Sequence, residues 1–142
     1  MRILGIDFGD RKIGLAVSDR LGITAQPLTS YRRSNKKEDA KFFKHVASEY
    51  GIEEVIVGLP LRMDGSAGTR AEKTREFASW LEQILNLPVR LWDERLTTKQ
   101  ANTILREQKL GPKAKKSIED QVSAVIILST YLESRRTGSH VG

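Results

Sequence analysis

Asp7, Glu94 and Asp120 are the residues in this chain whose types and placement could do chemistry. Asp7 ends the apolar run Ile3-Leu4-Gly5-Ile6 and is followed by Phe8-Gly9-Asp10-Arg11-Lys12. Glu94 lies just past a second short apolar run, Val89-Arg90-Leu91-Trp92, and Asp120 falls near the start of a late helical stretch. Three carboxylates at element ends suit metal-dependent phosphodiester chemistry. Hydrolysing a phosphodiester requires charge neutralisation around phosphorus and a nucleophile made from water. Two divalent ions about 3.5–4 Å apart can supply both. Mg²⁺ and Mn²⁺ take oxygen ligands, so Asp and Glu suffice without histidine. Crowded carboxylates repel, so without a cation at least one should have a raised pKa.

Basic residues recur beside these acids. Arg11 and Lys12 follow Asp7, Arg95 follows Glu94, and Lys113, Lys115 and Lys116 precede Asp120. Arg62 and Arg70 bracket a glycine-bearing loop. Each group alone would read as a solvated face. Their repetition beside the acids points to phosphate contacts by Arg11, Lys12, Arg62, Arg70, Arg95, Lys115 and Lys116.

Composition agrees. The 142 residues carry 24 Lys plus Arg against 18 Asp plus Glu, a formal charge of +6. A basic domain of this size suggests a polyanionic partner, either structured RNA or branched DNA. With no cysteine, disulfides and thiolate metal sites are excluded, and two histidines make an imidazole zinc site a poor fit. No run is apolar and long enough for a transmembrane helix, and the first strand begins without room for a signal peptide, so a cytoplasmic location is expected.

The elements that must position these residues follow from periodicity. Strands are expected over residues 2–7, 12–19 and 25–32, with a hairpin at Gly9-Asp10 and Ile13, Leu15 and Val17 facing one way. Pro27 lacks an amide donor and places the third strand toward a sheet edge. Ser34-Asn35 caps a helix over 36–50, which Gly51 ends. Residues 55–59 form a strand buried on both faces, closed by Pro60. A polar loop spans 61–69, a helix 70–86 with Phe77, Leu81, Ile84 and Leu85 inward, and a short strand 89–92. Helices are expected over 98–108 and 117–135, separated by a basic loop at 109–116. Asp120 lies on one stripe with Ala124, Ile127 and Tyr131 and so faces the sheet. Trp80 and Trp92 read as core residues, not as platforms for stacked bases. Strand–helix–strand units demand parallel pairing. The result is an α/β fold: a mixed five-stranded sheet, strands 1–3 antiparallel and strands 4–5 parallel, with helices on both faces. Residues 1–136 form one domain and 137–142 a disordered tail. Ligands of such sheets collect at the carboxyl ends of the parallel strands, where Asp7, Asp93 and Glu94 fall.

Taken together, Asp7-Phe8-Gly9, Gly14, Ala16-Val17-Ser18-Asp19, Val57-Gly58-Leu59-Pro60, Met63-Asp64-Gly65, Asp93-Glu94-Arg95-Leu96-Thr97-Thr98 and Asp120-Gln121-Val122-Ser123-Ala124 resemble the YqgF (RuvX) family. The resemblance runs from residue 1 to about 134. It implies an RNase H-like fold related to Holliday junction resolvases and a nuclease that matures the 5′ end of pre-16S ribosomal RNA. The alternatives are a Holliday junction resolvase and a non-catalytic nucleic-acid-binding factor. The resemblance also implies Asp7, Glu94 and Asp120 as the catalytic, metal-binding triad. In the roles this assigns, Asp7 bridges two Mg²⁺ (or Mn²⁺) ions, Glu94 and Asp120 each complete one ion's shell, and the products are a 5′-phosphate and a 3′-hydroxyl. Many RNase H-like nucleases place an acid after the fourth strand, whereas here that strand ends in Gly58-Leu59-Pro60. The second ligand then comes from Asp93, Glu94 or Asp64. Glu94 is preferred for its longer reach. The chain is expected to act as a monomer or a homodimer, the latter because a junction resolvase cuts two strands symmetrically.

Overall fold

A computed structural model describes residues 1–62, 64–96 and 112–138, with side chains described to 96 and again over 121–135. Five strands form one mixed sheet: β1 (Arg2–Phe8), β2 (Lys12–Ser18), β3 (Ala25–Arg32), β4 (Ile52–Leu59) and β5 (Val89–Asp93). Their order is β3-β2-β1-β4-β5. β1–β2 and β2–β3 pair antiparallel, and β1–β4 and β4–β5 pair parallel. The helices are α1 (Lys36–Tyr50), α2 (Thr69–Leu85) and α3 (Pro112–Gly138).

Local chemistry sets several boundaries as expected. The Asn35 side chain accepts the Glu38 amide and caps α1, and Gly51 ends that helix at φ 61°. Proline in β3 is tolerated because β3 is an edge strand, and its register shifts between Leu15 and Ala16 of the partner. Trp80 and Trp92 are partly buried at the margins of the two cores.

Two expectations need correction. β4 begins at Ile52, three residues before the apolar run, because the buried Glu54 finds partners far along the chain: Tyr131 donates its hydroxyl and Arg90 lies 3.7 Å away. The stretch 112–116 is helix, not basic loop. Pro112 suits a first helical turn, where its missing N–H costs no bond, and Lys113-Ala114-Lys115-Lys116 are good helix formers. α3 also takes in Thr137 and Gly138. The expected helix over 98–108, the start of the basic loop at 109–111 and the tail residues 139–142 lie outside the described residues.

The sheet separates two cores. Leu4, Ile6, Phe8, Ile13, Leu15 and Val17 pack against Phe43 and Val46 of α1 and Phe77 and Leu81 of α2. On the opposite face Ile3, Ala16 and Ile56 meet Ala124, Ile127, Leu128 and Leu132 of α3. Alternation along β1 therefore sends Ile3, Gly5 and Asp7 toward α3 and Leu4, Ile6 and Phe8 toward α1 and α2. α3 approaches closely at Gly5, where an added Cβ would lie 2.7 Å from the Leu128 Cβ and 3.1 Å from the Ala124 carbonyl.

Candidate active site

Asp7 and Glu94 meet at the carboxyl edge of β1 and β4, on the α3 face. β5 ends at Asp93, level with Leu59 of β4, and the chain then enters a single tight helical turn, Glu94–Leu96. That turn carries the Glu94 side chain back over β4. Its Oε1 would lie 2.7 Å from a Cβ on Gly58, and the Ile127 Cδ1 2.5 Å from it. The bare glycine at 58 thus makes room for an acid delivered from the neighbouring strand.

The two carboxyls share a hydrogen bond. Burial, the Asp7 charge and that bond push Glu94 up to about 7 from 4.5, partly offset by the positive charge of Arg70. This is the raised carboxylic acid that crowding predicts, and the proton holds together what a cation would otherwise neutralise. Because the folded pKa exceeds the unfolded one, ionising Glu94 costs stability. The penalty is absent below pH 4.5 and complete above about pH 7. With partial solvent screening it should amount to about 1–2 kcal/mol. Urea unfolding in EDTA is expected to show the metal-free protein losing that much between about pH 4.5 and 8. Glu94→Gln should remove the slope, and Mg²⁺ should offset the loss at about pH 8 in the unmutated protein only.

Asp93 is engaged elsewhere. It accepts the Arg95 backbone amide at 2.9 Å and the guanidinium at 2.7–3.1 Å, and these bonds hold its carboxyl below the usual range. Asp64 accepts the Ser66 amide and hydroxyl, which lower its pKa, with Arg95 adding a smaller effect. Gly65, at φ 88°, lets this loop lie against the Arg95 guanidinium. Of the three candidates for the second acid, only Glu94 faces Asp7.

Asp120 belongs to α3, one turn before Ala124; its side chain lies outside the described residues. The helix runs antiparallel to β4, since Ile127 sits against Gly58 near the carboxyl end and Tyr131 against Glu54 near the start. From Ala124, beside Gly5, one helical turn advances about 6 Å, and the two residues from Gly5 to Asp7 advance about 7 Å. Position 120 therefore comes level with Asp7. Among the described residues no three acids or imidazoles gather closely enough to hold a metal ion, and the third acid of the expected set is not among them.

The predicted basic residues divide. Arg70, in the first turn of α2, is within electrostatic reach of Glu94. Arg62 packs over Gly68, the N-cap of α2, which offers no side-chain acceptor. Arg95 is tied to Asp93. Arg11 and Lys12 are exposed at the β1–β2 turn and make no ion pair among the described residues. Lys115 and Lys116 lie on α3 with side chains outside the described residues. Sequence reasoning missed two contributors. Gly58 read only as a departure from the usual acid. Arg33, which stands over Phe8 with 4.6 Å between guanidinium and ring, carried no signal at all.

A family model described as RuvX, Holliday junction resolvase, matches residues 1–134. The chain belongs to the RuvX family. Among RuvX relatives, a protein of Koribacter versatilis named "Putative pre-16S rRNA nuclease" is 50% identical over 134 residues, covering 94% of this chain and 88% of its own. A Halothermothrix orenii protein of the same name is 48% identical over 132 residues, covering 93% and 94%. The fold is that of RuvC: the Thermus thermophilus enzyme solved with a Holliday junction superposes with a TM-score of 0.65 at 20% identity, over 97% of this chain and 96% of that one. Fowlpox virus resolvase with its junction DNA gives 0.59 at 15% identity, over 95% and 99%. No described helix is long and apolar enough to cross a membrane.

Proposed function

We propose that this RuvX chain is a metal-dependent endonuclease that processes the 5′ end of pre-16S ribosomal RNA. The observation that carries the reading is the hydrogen-bonded Asp7–Glu94 pair at the carboxyl edge of the parallel strands, with Glu94 raised to about 7. Two carboxyls that must share a proton form an all-oxygen donor set suited to Mg²⁺ or Mn²⁺. Asp7, Glu94 and Asp120 would hold the cation. When bound, it supplies positive charge against the phosphoryl oxygens and makes a water more acidic.

The chain's own residues do the rest. Glu94 must give up its proton before the pair can act as a ligand set, so activity at subsaturating Mg²⁺ should rise with pH up to about 7, and saturating Mg²⁺ should move that rise to lower pH. Arg70 is exposed, favours the ionised Glu94 and is the cation available to a phosphate beside the pair. The Asp93–Arg95 bond keeps Asp93 out of the acid cluster and steadies the turn that delivers Glu94. The relatives at 48–50% identity support pre-16S ribosomal RNA as substrate.

A second reading, a Holliday junction resolvase, is favoured by the family description and by the RuvC fold. One assay separates the two. Purified protein with Mg²⁺ or Mn²⁺ is offered a 5′-extended 16S precursor fragment and a synthetic four-way DNA junction. Cutting of the precursor alone supports the proposal, and symmetric cutting of the junction alone replaces it with the second reading. Salt-sensitive binding without cutting of either would leave a non-catalytic binding factor.

A further inference from the structure

We propose that a groove on the face of the sheet opposite Asp7 holds the single-stranded part of the nucleic-acid substrate next to the cleavage site; this rests on the nucleic-acid reading above. Asp7 and Phe8 are consecutive and point to opposite faces, so the groove begins one residue from the acid pair. It encloses about 420 Å³ between β1, α1 and α2. Its floor is aromatic. Phe8 and Phe77 are buried and stack on each other at 4.3 Å, and Phe77 lies 5.9 Å from Trp80, the lining ring that keeps exposed surface.

Its rim is cationic and prearranged. Arg33 Nη1 donates to the carbonyls of Gly9 and Asp10 at 3.2 and 3.0 Å, holding the guanidinium over Phe8, 4.6 Å from the ring centroid. The Arg33 Nε and Nη2 donors make no bond among the described residues. Lys36 of α1 and Lys73 of α2 are exposed on the rim and make no ion pair there. Of the acids lining the groove, Asp39 is buried and already accepts the Tyr31 hydroxyl and the Ser34 amide. Asp10 and Glu76 remain, and a second depression that shares Asp10 and Arg33 with the groove adds Arg11 and Arg32. The path from the β1–β2 turn across the groove therefore carries five cations against two exposed carboxylates. A partly exposed indole under a row of cations that make no ion pair among the described residues matches a single strand, with a base stacked on Trp80 and phosphates on the rim. A duplex offers no base faces to such a floor.

The test uses a 12-nucleotide mixed-sequence single-stranded RNA and the full chain in EDTA, so that binding is read without cleavage. Lys36→Glu combined with Lys73→Glu, both at exposed positions outside the packed core, should weaken binding at least tenfold. The double variant should also flatten the salt dependence, by about 1.4 in log–log slope for two lost phosphate contacts. The RNA should quench tryptophan fluorescence in Trp92→Phe, which retains Trp80, and fail to do so in Trp80→Phe. Unchanged affinity in the double lysine variant, or quenching that persists in Trp80→Phe, would overturn the groove. Retained cleavage by the unmutated protein in that case leaves the nuclease reading standing. Conversely, a groove that behaves as expected in a protein that cuts nothing would uphold the groove and remove the nuclease.

Discussion

Asp7→Asn is expected to lower cleavage by about three orders of magnitude while leaving the fold intact. Loss of one charged group from a preorganised site typically costs 10²–10³-fold or more. Asp7 is also the partner that shares a proton with Glu94. The amide is nearly isosteric, so packing against α3 is unchanged. It also removes a like charge, so Glu94 should titrate closer to an ordinary carboxyl, and the metal-free variant at about pH 8 should be at least as stable as the parent. Cleavage rates with Mg²⁺, together with urea unfolding of both proteins, check the two halves. Full activity in Asp7→Asn would remove this residue from the chemistry.

Gly58→Ala should cost about 100-fold in cleavage and only about 1 kcal/mol in stability. The added methyl meets the Glu94 Oε1 at 2.7 Å and Cγ at 3.0 Å, and Ile127 Cδ1 at 2.5 Å, where ordinary contact starts at 3.4 Å. Those atoms belong to side chains that can swing away, so overpacking is relieved cheaply. The relief displaces the Glu94 carboxyl by the better part of an ångström, and a shift of that size in a catalytic group costs about 10² in rate. Gly5→Ala is the contrasting case. There the new methyl meets the Leu128 Cβ and the Ala124 carbonyl, which move only with α3. That variant should lose about 1–3 kcal/mol. Comparing kcat with the urea midpoint in the two variants separates a glycine that places an acid from one that seats a helix. Unaltered cleavage in Gly58→Ala would show that Glu94 need not occupy its present position.

Elements whose signals are local are legible in the sequence. Asn35 and Gly51 bound α1 because capping and the left-handed C-terminal turn depend on neighbouring residues alone. Alternation of Ile13, Leu15 and Val17 revealed the buried face of β2, and Pro27 the sheet edge. Where the decisive partner is distant, reading failed. The start of β4 was hidden by Glu53 and Glu54, because Glu54 is satisfied by Tyr131, 77 residues away. The start of α3 was hidden because Gly111-Pro112 resembles a loop even where proline opens a helix.

The same division applies to the candidate site. Sequence by itself determined which acids stand at strand ends and that, crowded without a cation, at least one of them would have a raised pKa, since residue type and strand period suffice for those statements. Only the tertiary structure shows which of Asp93, Glu94 and Asp64 meets Asp7. That choice depends on Arg95 holding Asp93, on Ser66 holding Asp64, and on a glycine in a strand 36 residues earlier whose missing side chain leaves the space Glu94 fills. Steric room and hydrogen-bond competition among residues far apart in the chain are properties of the packed sheet.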